Sequence, residues 1–271
     1  MRHPSVAGQF YAGDPKSLRK QVEDCFLGSQ GPGKLPSPAN GPRKVMGGIA
    51  PHAGYMYSGM VAAHLYDRIA SDGPPKSFIV LGPNHTGMGT GLAISSQDFA
   101  TPLGVARIDK ELAKALRRDL VDEDDEAHRQ EHSIEVQLPF IQYISQDFSF
   151  VPVCMGFQDI DSAISVGNTI SAAIKGRDVV VIASTDFSHY VTPNVARKKD
   201  GMALEAIKAM DPKALYDVVR DQDISMCGYG PVMAMMTACK GGKATVLKYG
   251  NSGDVHPMRE VVGYASVVIE K

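Results

Sequence analysis

Ile182-Ala183-Ser184-Thr185-Asp186-Phe187-Ser188-His189-Tyr190 is the stretch that decides how this chain folds. Residues 178–183 read as a buried strand, and the strand runs straight into small and polar groups ending in Asp186 and His189. The same grammar occurs twice earlier. Met46-Gly47-Gly48-Ile49-Ala50 runs into Pro51-His52-Ala53-Gly54-Tyr55, and Phe78-Ile79-Val80-Leu81 runs into Gly82-Pro83-Asn84-His85. Three apolar strands thus each deliver a histidine just past their carboxyl ends. In an open α/β sheet that is where ligands and catalytic groups collect.

The rest of the chain reads as the scaffold for these three ends. Residues 1–13 form an irregular arm anchored by Phe10-Tyr11, and Asp14-Pro15 opens a helix as N-cap and first-turn proline. Residues 28–42, rich in Gly, Pro and Ser, read as a surface loop. The apolar spacing over 58–69 predicts a helix between the first two strands, a βαβ unit with parallel strands and a right-handed crossover. Residues 92–95 read as a short strand and 98–105 as a loop or edge element. Asp109 caps a further helix. The acidic run 122–126 reads as a solvated loop. Glu131 and Glu135 lie four apart, so a helix would place them on one face. Residues 149–155 form a strand that Pro152 should bend or confine to an edge. Helices follow at 161–175, 196–210, 212–220 and 231–239, with strands at 178–183, 243–249 and 261–269. This alternation predicts one three-layer α/β/α domain over residues 1–271, with a mixed, mostly parallel sheet.

Bulk properties exclude several classes. The formal charge of −2 gives no electrostatic case for nucleic acid or a membrane surface. The apolar runs are strand-length, and Met1-Arg2-His3-Pro4 lacks the apolar stretch of a signal peptide. Cys25, Cys154, Cys227 and Cys239 show no CxxC pairing, which suits free thiols in a reducing cytoplasm.

Among residues that can carry chemistry, His52 and His85 sit in tight proline-bearing turns that hold an imidazole in a fixed orientation, as metal binding requires. His64 lies within a helix and reads as structural, while His3, His128 and His256 read as surface. Cys25, Cys154 and Cys239 read as small core residues. Cys227 instead lies in a glycine-rich turn just before a helix expected to start at Pro231, a place that lowers a thiol pKa and favours thiolate. His52, His85 and Cys227 would make a three-ligand metal site for Zn, Fe(II) or Cu. Asp186 and His189 are then left for proton transfer or substrate orientation, and Glu131, His132 and Glu135 for support of the ligands or a base role. A Ser188-His189-Asp186 triad is a poor alternative, because such triads do not form within one turn. Tyr55, Tyr57, Tyr190 and Tyr229 flank these motifs as pocket lining or packing.

The motifs Ala50-Pro51-His52-Ala53-Gly54-Tyr55, Leu81-Gly82-Pro83-Asn84-His85, Glu131-His132-Ser133-Ile134-Glu135, Ser184-Thr185-Asp186-Phe187-Ser188-His189-Tyr190 and Cys227-Gly228 together resemble the Memo family, also called AmmeMemoRadiSam system protein B. The likeness runs from Ala7-Gly8-Gln9-Phe10-Tyr11 to Gly263-Tyr264-Ala265. It implies a fold similar to the catalytic subunits of class III extradiol dioxygenases, non-heme Fe(II) enzymes that use two histidines, a glutamate and an acid/base histidine. By motif, His52 and His85 match the histidine ligands, Cys227 takes the place of the glutamate, and His189 matches the acid/base histidine with Asp186 beside it. The thiolate widens the choice of metal to Cu or Zn. The resemblance also implies an AMMECR-type protein and a radical SAM protein as partners. The leading expectation is a non-heme oxidoreductase acting on a small molecule or peptide. The alternatives are a zinc hydrolase, with Glu131 or His189 as base, and a peptide- or phosphopeptide-binding module.

Overall fold

The computed structural model describes residues 1–39, 41, 43–117 and 121–271. Two residues of the 28–42 loop, Asn40 and Pro42, lie outside them. The helices are α1 (Pro15–Leu27), α2 (Tyr55–Asp72), α3 (Lys110–Leu116), α4 (Leu138–Ile144), α5 (Ile160–Ala173), α6 (Pro193–Lys208), α7 (Pro212–Asp221) and α8 (Tyr229–Ala238). The strands are β1 (Val45–Ala50), β2 (Ser77–Pro83), β3 (Leu92–Ile94), β4 (Phe99–Thr101), β5 (Gly104–Ile108), β6 (Asp122–Glu123), β7 (Ser149–Met155), β8 (Val179–Ser184), β9 (Lys243–Asn251) and β10 (Gly263–Glu270). Asp14, Asp109, Asp159 and Asp211 start α1, α3, α5 and α7 in the same way. Each carboxylate accepts the N–H three residues on, which removes one orphan donor of the first turn.

The strands join in one sheet of order β4-β5-β7-β2-β8-β1-β10-β9, with β3 attached at β7 and β6 at β3. The centre, from β5 to β1, is parallel, and β10 and β9 continue it antiparallel. Residues buried on both faces explain the unbroken apolar runs of β2 and β8. Gly47 and Gly48 show how the layers stack. Successive strand residues face opposite sides. A Cβ on Gly47 would strike Cys239 and Met235 at the end of α8, and one on Gly48 would strike Leu65 of α2. Helices α8 and α2 therefore cover opposite faces, and the architecture is three-layered, as the alternation predicted.

Three local expectations change. Pro152 lies in an interior strand, with β2 on one side throughout. On the other side β7 pairs with β5 at Ser149 and Phe150, then with β3 from Val153 to Met155. Phe150 offers its carbonyl to that outer side, where Asp109 N–H binds it at 2.9 Å. Alternation turns Pro152 the same way, so its missing donor falls in the seam between β5 and β3. Glu131 and Glu135 do not share a helix face, because only Glu135–Gln137 forms a 3₁₀ turn and Glu131 precedes it. The acidic run is no free loop either. Asp124 accepts Thr90 N–H at 2.7 Å, and Asp125 accepts the Ser95 hydroxyl and the Gln97 amide.

Candidate metal centre

Register brings the three histidine-bearing ends to one level. Ala50 pairs with Ser184, and Leu81 pairs with Ala183. Strand β8 lies between β2 and β1, so His52, His85 and Asp186 leave three adjacent parallel strands at the same edge. One ring nitrogen each from His52, His85 and His132 lies within 4.8 Å of the other two. The His52 ring stands edge-on to both others, at 5.1 Å from His85 and 5.5 Å from His132. The rings of His85 and His132 stack at 4.7 Å.

Buried hydrogen bonds fix the His52 tautomer. The Gln137 amide must point its NH2 at the Pro51 carbonyl (2.9 Å), and the same nitrogen donates to Ser184 Oγ at 2.7 Å. The Ser184 proton goes to the Ser133 carbonyl at 2.6 Å. Ser184 Oγ can therefore only accept from His52 Nδ1, 3.0 Å away. Nδ1 carries the hydrogen and Nε2 keeps its lone pair. Burial, then the neighbouring His132 and His85, holds the His52 pKa well below its ordinary value, so the ring is neutral.

Glu131 does the same for His85. Its Oε1 accepts His85 Nδ1–H at 2.9 Å and Ser133 N–H at 2.8 Å, while Oε2 accepts the His85 backbone N–H at 2.6 Å. Burial raises the Glu131 pKa, but the hydrogen bond and charge of His85 and the Ser133 N–H outweigh it and bring it down to about 2. A carboxylate held this way orients a ligand and makes a poor base at neutral pH. Of the two roles foreseen for Glu131, the geometry favours support.

Cys227 Sγ lies 3.2 Å from His52 Nε2 and accepts Asp186 N–H at 3.3 Å. Helix α8 begins at Tyr229, two residues before the expected start, with Gly228 as its N-cap. The expected low thiol pKa is not found. Burial pushes it well up and the Asp186 charge adds to this, against the helix terminus and the Asp186 N–H. Asp186 is 4 % exposed and its Oδ1 accepts His52 N–H at 2.8 Å. Burial lifts its carboxyl to about 6, opposed by that bond and by His189. His189 gives Nδ1–H to the Ser225 carbonyl at 2.8 Å, which leaves Nε2 as its accepting nitrogen. Ser188 Oγ is buried with no protein partner among the described residues, and Asp186 serves His52, so no triad forms.

Several residues of the site went unseen in the sequence. Arg2 is buried, pairs with Glu135 and donates to the carbonyls of Glu131 and His128, both at 2.7 Å. It clamps the segment that carries Glu131 and His132. Tyr11 OH donates to Glu135 at 2.6 Å, and the Phe10 ring packs on His132 at 4.8 Å. His128, read as surface, is fully buried and bonds the Ala93 carbonyl. Asp200 is also fully buried, accepting Ser188 N–H at 2.9 Å and the Tyr249 hydroxyl at 2.8 Å. A charged residue in a polar stretch gives no sign of burial, so only a tightly spaced N-terminal arm hinted at the clamp. Tyr55 is core, with its hydroxyl on the Val136 carbonyl, whereas Tyr190 is 74 % exposed. Among the described residues, no helix is long and apolar enough to cross a membrane.

The family described as Memo-like protein matches residues 2–268. MEMO1 family protein MK0963 of Methanopyrus kandleri is 47 % identical over 280 residues, covering 100 % of this chain and 99 % of that protein. MEMO1 family protein MTH_45 of Methanothermobacter thermautotrophicus is 47 % identical, covering 98 % and 99 %. In fold alone, the chain is similar to the crystal structure of the uncharacterized protein JW3007 from Escherichia coli K12. The TM-score is 0.50 at 14 % identity, over 75 % of this chain and 90 % of that one. With the motifs, the fold and full-length relatives in accord, this chain belongs to the Memo-like protein family.

Proposed function

We propose that this protein is a metal-dependent oxidoreductase of the non-heme type, dioxygenase-like, in which His52, His85 and Cys227 hold Fe(II) or Cu and His189 handles protons. The observation that carries this reading is the convergence of His52 and His85, each with Nδ1 engaged by a fixed partner, so that Nε2 is the nitrogen left for a metal. The donor set fits such a metal. Imidazole and thiol are borderline to soft ligands, and both nearby carboxylates, Glu131 and Asp186, already accept backbone N–H groups. Such a set suits Fe, Cu or Zn and not the hard ions Mg or Ca. When bound, iron or copper supplies Lewis acidity and electron transfer.

The chain's own residues do the rest. His85 faces solvent and marks the open side of the site, while His52 and Asp186 form its buried floor. His189, anchored through Nδ1, can take a substrate proton at Nε2. The buried Asp186 carboxylate nearby stabilises the imidazolium that results. Anaerobic titration with Fe(II) and Cu(I) tests the reading. Tight binding by the wild type that His52→Ala abolishes is the expected result, and a wild type that binds neither metal would sink it.

A zinc hydrolase is the second reading, favoured by the third imidazole beside the pair, since three histidines are a donor set of catalytic zinc. Metal analysis of protein purified without added metal, with turnover measured under nitrogen, separates the two. Only the oxidoreductase stops without oxygen.

A further inference from the structure

We propose that Asp200 is a positioning residue for His189: its buried carboxylate fixes the turn after β8, so that the imidazole keeps Nε2 free for a substrate proton. The inference rests on the reading of His189 as the proton-handling group and assigns what holds that group in place.

Asp200 lies in α6 and is fully buried. One carboxylate oxygen accepts Ser188 N–H at 2.9 Å, and the other accepts the Tyr249 hydroxyl of β9 at 2.8 Å. Both partners are uncharged, and burial raises the Asp200 pKa against these two bonds. A buried carboxylate without a cation costs stability compared with an apolar side chain of similar size. Packing alone therefore does not call for an acid here. Strand β10 makes room for it, because a Cβ on Gly263 would overlap Asp200 Oδ2.

The turn that Asp200 holds is the one that aims His189. Asp200 takes the Ser188 N–H, and Gly263 N–H binds the Ser188 carbonyl at 2.9 Å. Both backbone groups of the residue before His189 are thereby fixed. Ser188 Oγ takes no part, being buried with no partner among the described residues. Next along the chain, His189 N–H meets Ser225 Oγ at 2.7 Å and Nδ1–H meets the Ser225 carbonyl at 2.8 Å. Tyr190 follows with φ of 55°, a left-handed conformation uncommon for a bulky residue. Such backbone persists only where the surroundings over-determine it. The Tyr190 side chain is exposed, so the bonds on Ser188 and His189, and not ring packing, impose that conformation. Without the Asp200 bond the turn relaxes, and His189 Nδ1 leaves the Ser225 carbonyl.

The test is the tautomer of His189 in the chelator-treated full chain, read from its ring nitrogen-15 shifts at about pH 8, above the ordinary imidazole range. His189→Asn identifies the signals. Wild type should carry the hydrogen on Nδ1. Asp200→Ala should move it largely to Nε2, the form a free imidazole favours. Asp200→Asn keeps an oxygen for Ser188 N–H and should restore the wild-type pattern. Tyr249→Phe removes the other bond to Asp200 and should leave His189 unchanged, although it too lowers the urea midpoint. The proposal is overturned if Asp200→Ala keeps the hydrogen on Nδ1. It is equally overturned if Tyr249→Phe moves the hydrogen as far, since Asp200 would then be merely structural. Should circular dichroism show Asp200→Ala unfolded, Gly263→Ala replaces it, because its methyl displaces the carboxylate from the opposite side, and the same two tautomers decide. Failure here leaves the metal titration untouched. A wild type that binds neither Fe(II) nor Cu(I) instead removes the metal-centre reading and the proton-handling role with it, whatever the tautomer.

Discussion

Cys227 Sγ and His52 Nε2, 175 residues apart in sequence, lie 3.2 Å from each other. His52 Nδ1 is a donor to Ser184, so the contact is an S–H donated to a neutral imidazole. The thiol thus engages the ring nitrogen that His52 leaves free, and one outcome follows. Desolvation raises that thiol's pKa, and Cys25, Cys154 and Cys239 are more deeply buried still. The native protein should thus react slowly with a disulfide reagent at all four thiols, and Cys227→Ser should reduce the total that reacts on unfolding from four to three. A fast thiolate reaction at pH 7 would show the burial account to be wrong.

Glu131 is the residue through which support of the site is most directly tested. Its two oxygens accept three N–H groups. Glutamine keeps the shape but turns an NH2 toward one of those donors. Glu131→Gln should lower metal affinity about 10–100-fold, read by competition with a metal chelator. It should also cost about 1–3 kcal/mol of stability in urea unfolding. Unchanged affinity would remove Glu131 from the support of His85.

The Arg2–Glu135 pair ties the N-terminal arm to the centre, with both side chains almost fully buried. Removing one partner strands a buried charge. Arg2→Met or Glu135→Leu alone should each destabilise the protein by about 3–5 kcal/mol, and the double replacement by less than their sum. Chemical denaturation of the four proteins measures the coupling. Additive losses would mean that the pair is not a unit.

His128 predicts a pH dependence away from the site. Burial, only partly offset by the Ala93 carbonyl, brings its pKa down to about 4. The unfolded ring titrates near 6.5, so below that the unfolded state binds the extra proton. The stability it supports is present above about 6.5 and is lost as pH falls through about 4, a span worth about 3 kcal/mol. Urea midpoints of wild type and His128→Gln between pH 7 and 4 should diverge in slope, with the variant flatter. Parallel curves would contradict the assignment.

Gly48 tests the layered fold. Its absent Cβ leaves room for Leu65 of α2 and for the Val267 carbonyl of β10. Gly48→Ala should cost about 1–3 kcal/mol through overpacking. Leu65→Ala should restore only part of that, because the carbonyl belongs to backbone and cannot retreat. Full rescue would place the strain in the side chain alone.

Much of this molecule was legible in the sequence because local rules govern it. Aspartate caps, apolar strand runs and the turns that carry His52, His85 and Asp186 are set by neighbours within a few residues, and they yielded the layered α/β architecture and three of the converging groups. Longer-range facts were not legible. Pro152 reads as an edge residue until the β5–β3 seam is seen to absorb its missing donor. His128 reads as surface, and nothing local marks Arg2 or Asp200 as buried, because burial of a charge depends on partners far away in the chain. His132 reads as a spare group beside Glu131 until packing stacks it on His85. Sequence alone determined which side chains arrive at the carboxyl edge of the sheet. Only tertiary structure decided which of them meet, which tautomer each holds, and that the Cys227 thiol is protonated against His52. Those properties come from desolvation and hydrogen bonds between residues more than a hundred positions apart, and no local pattern records them.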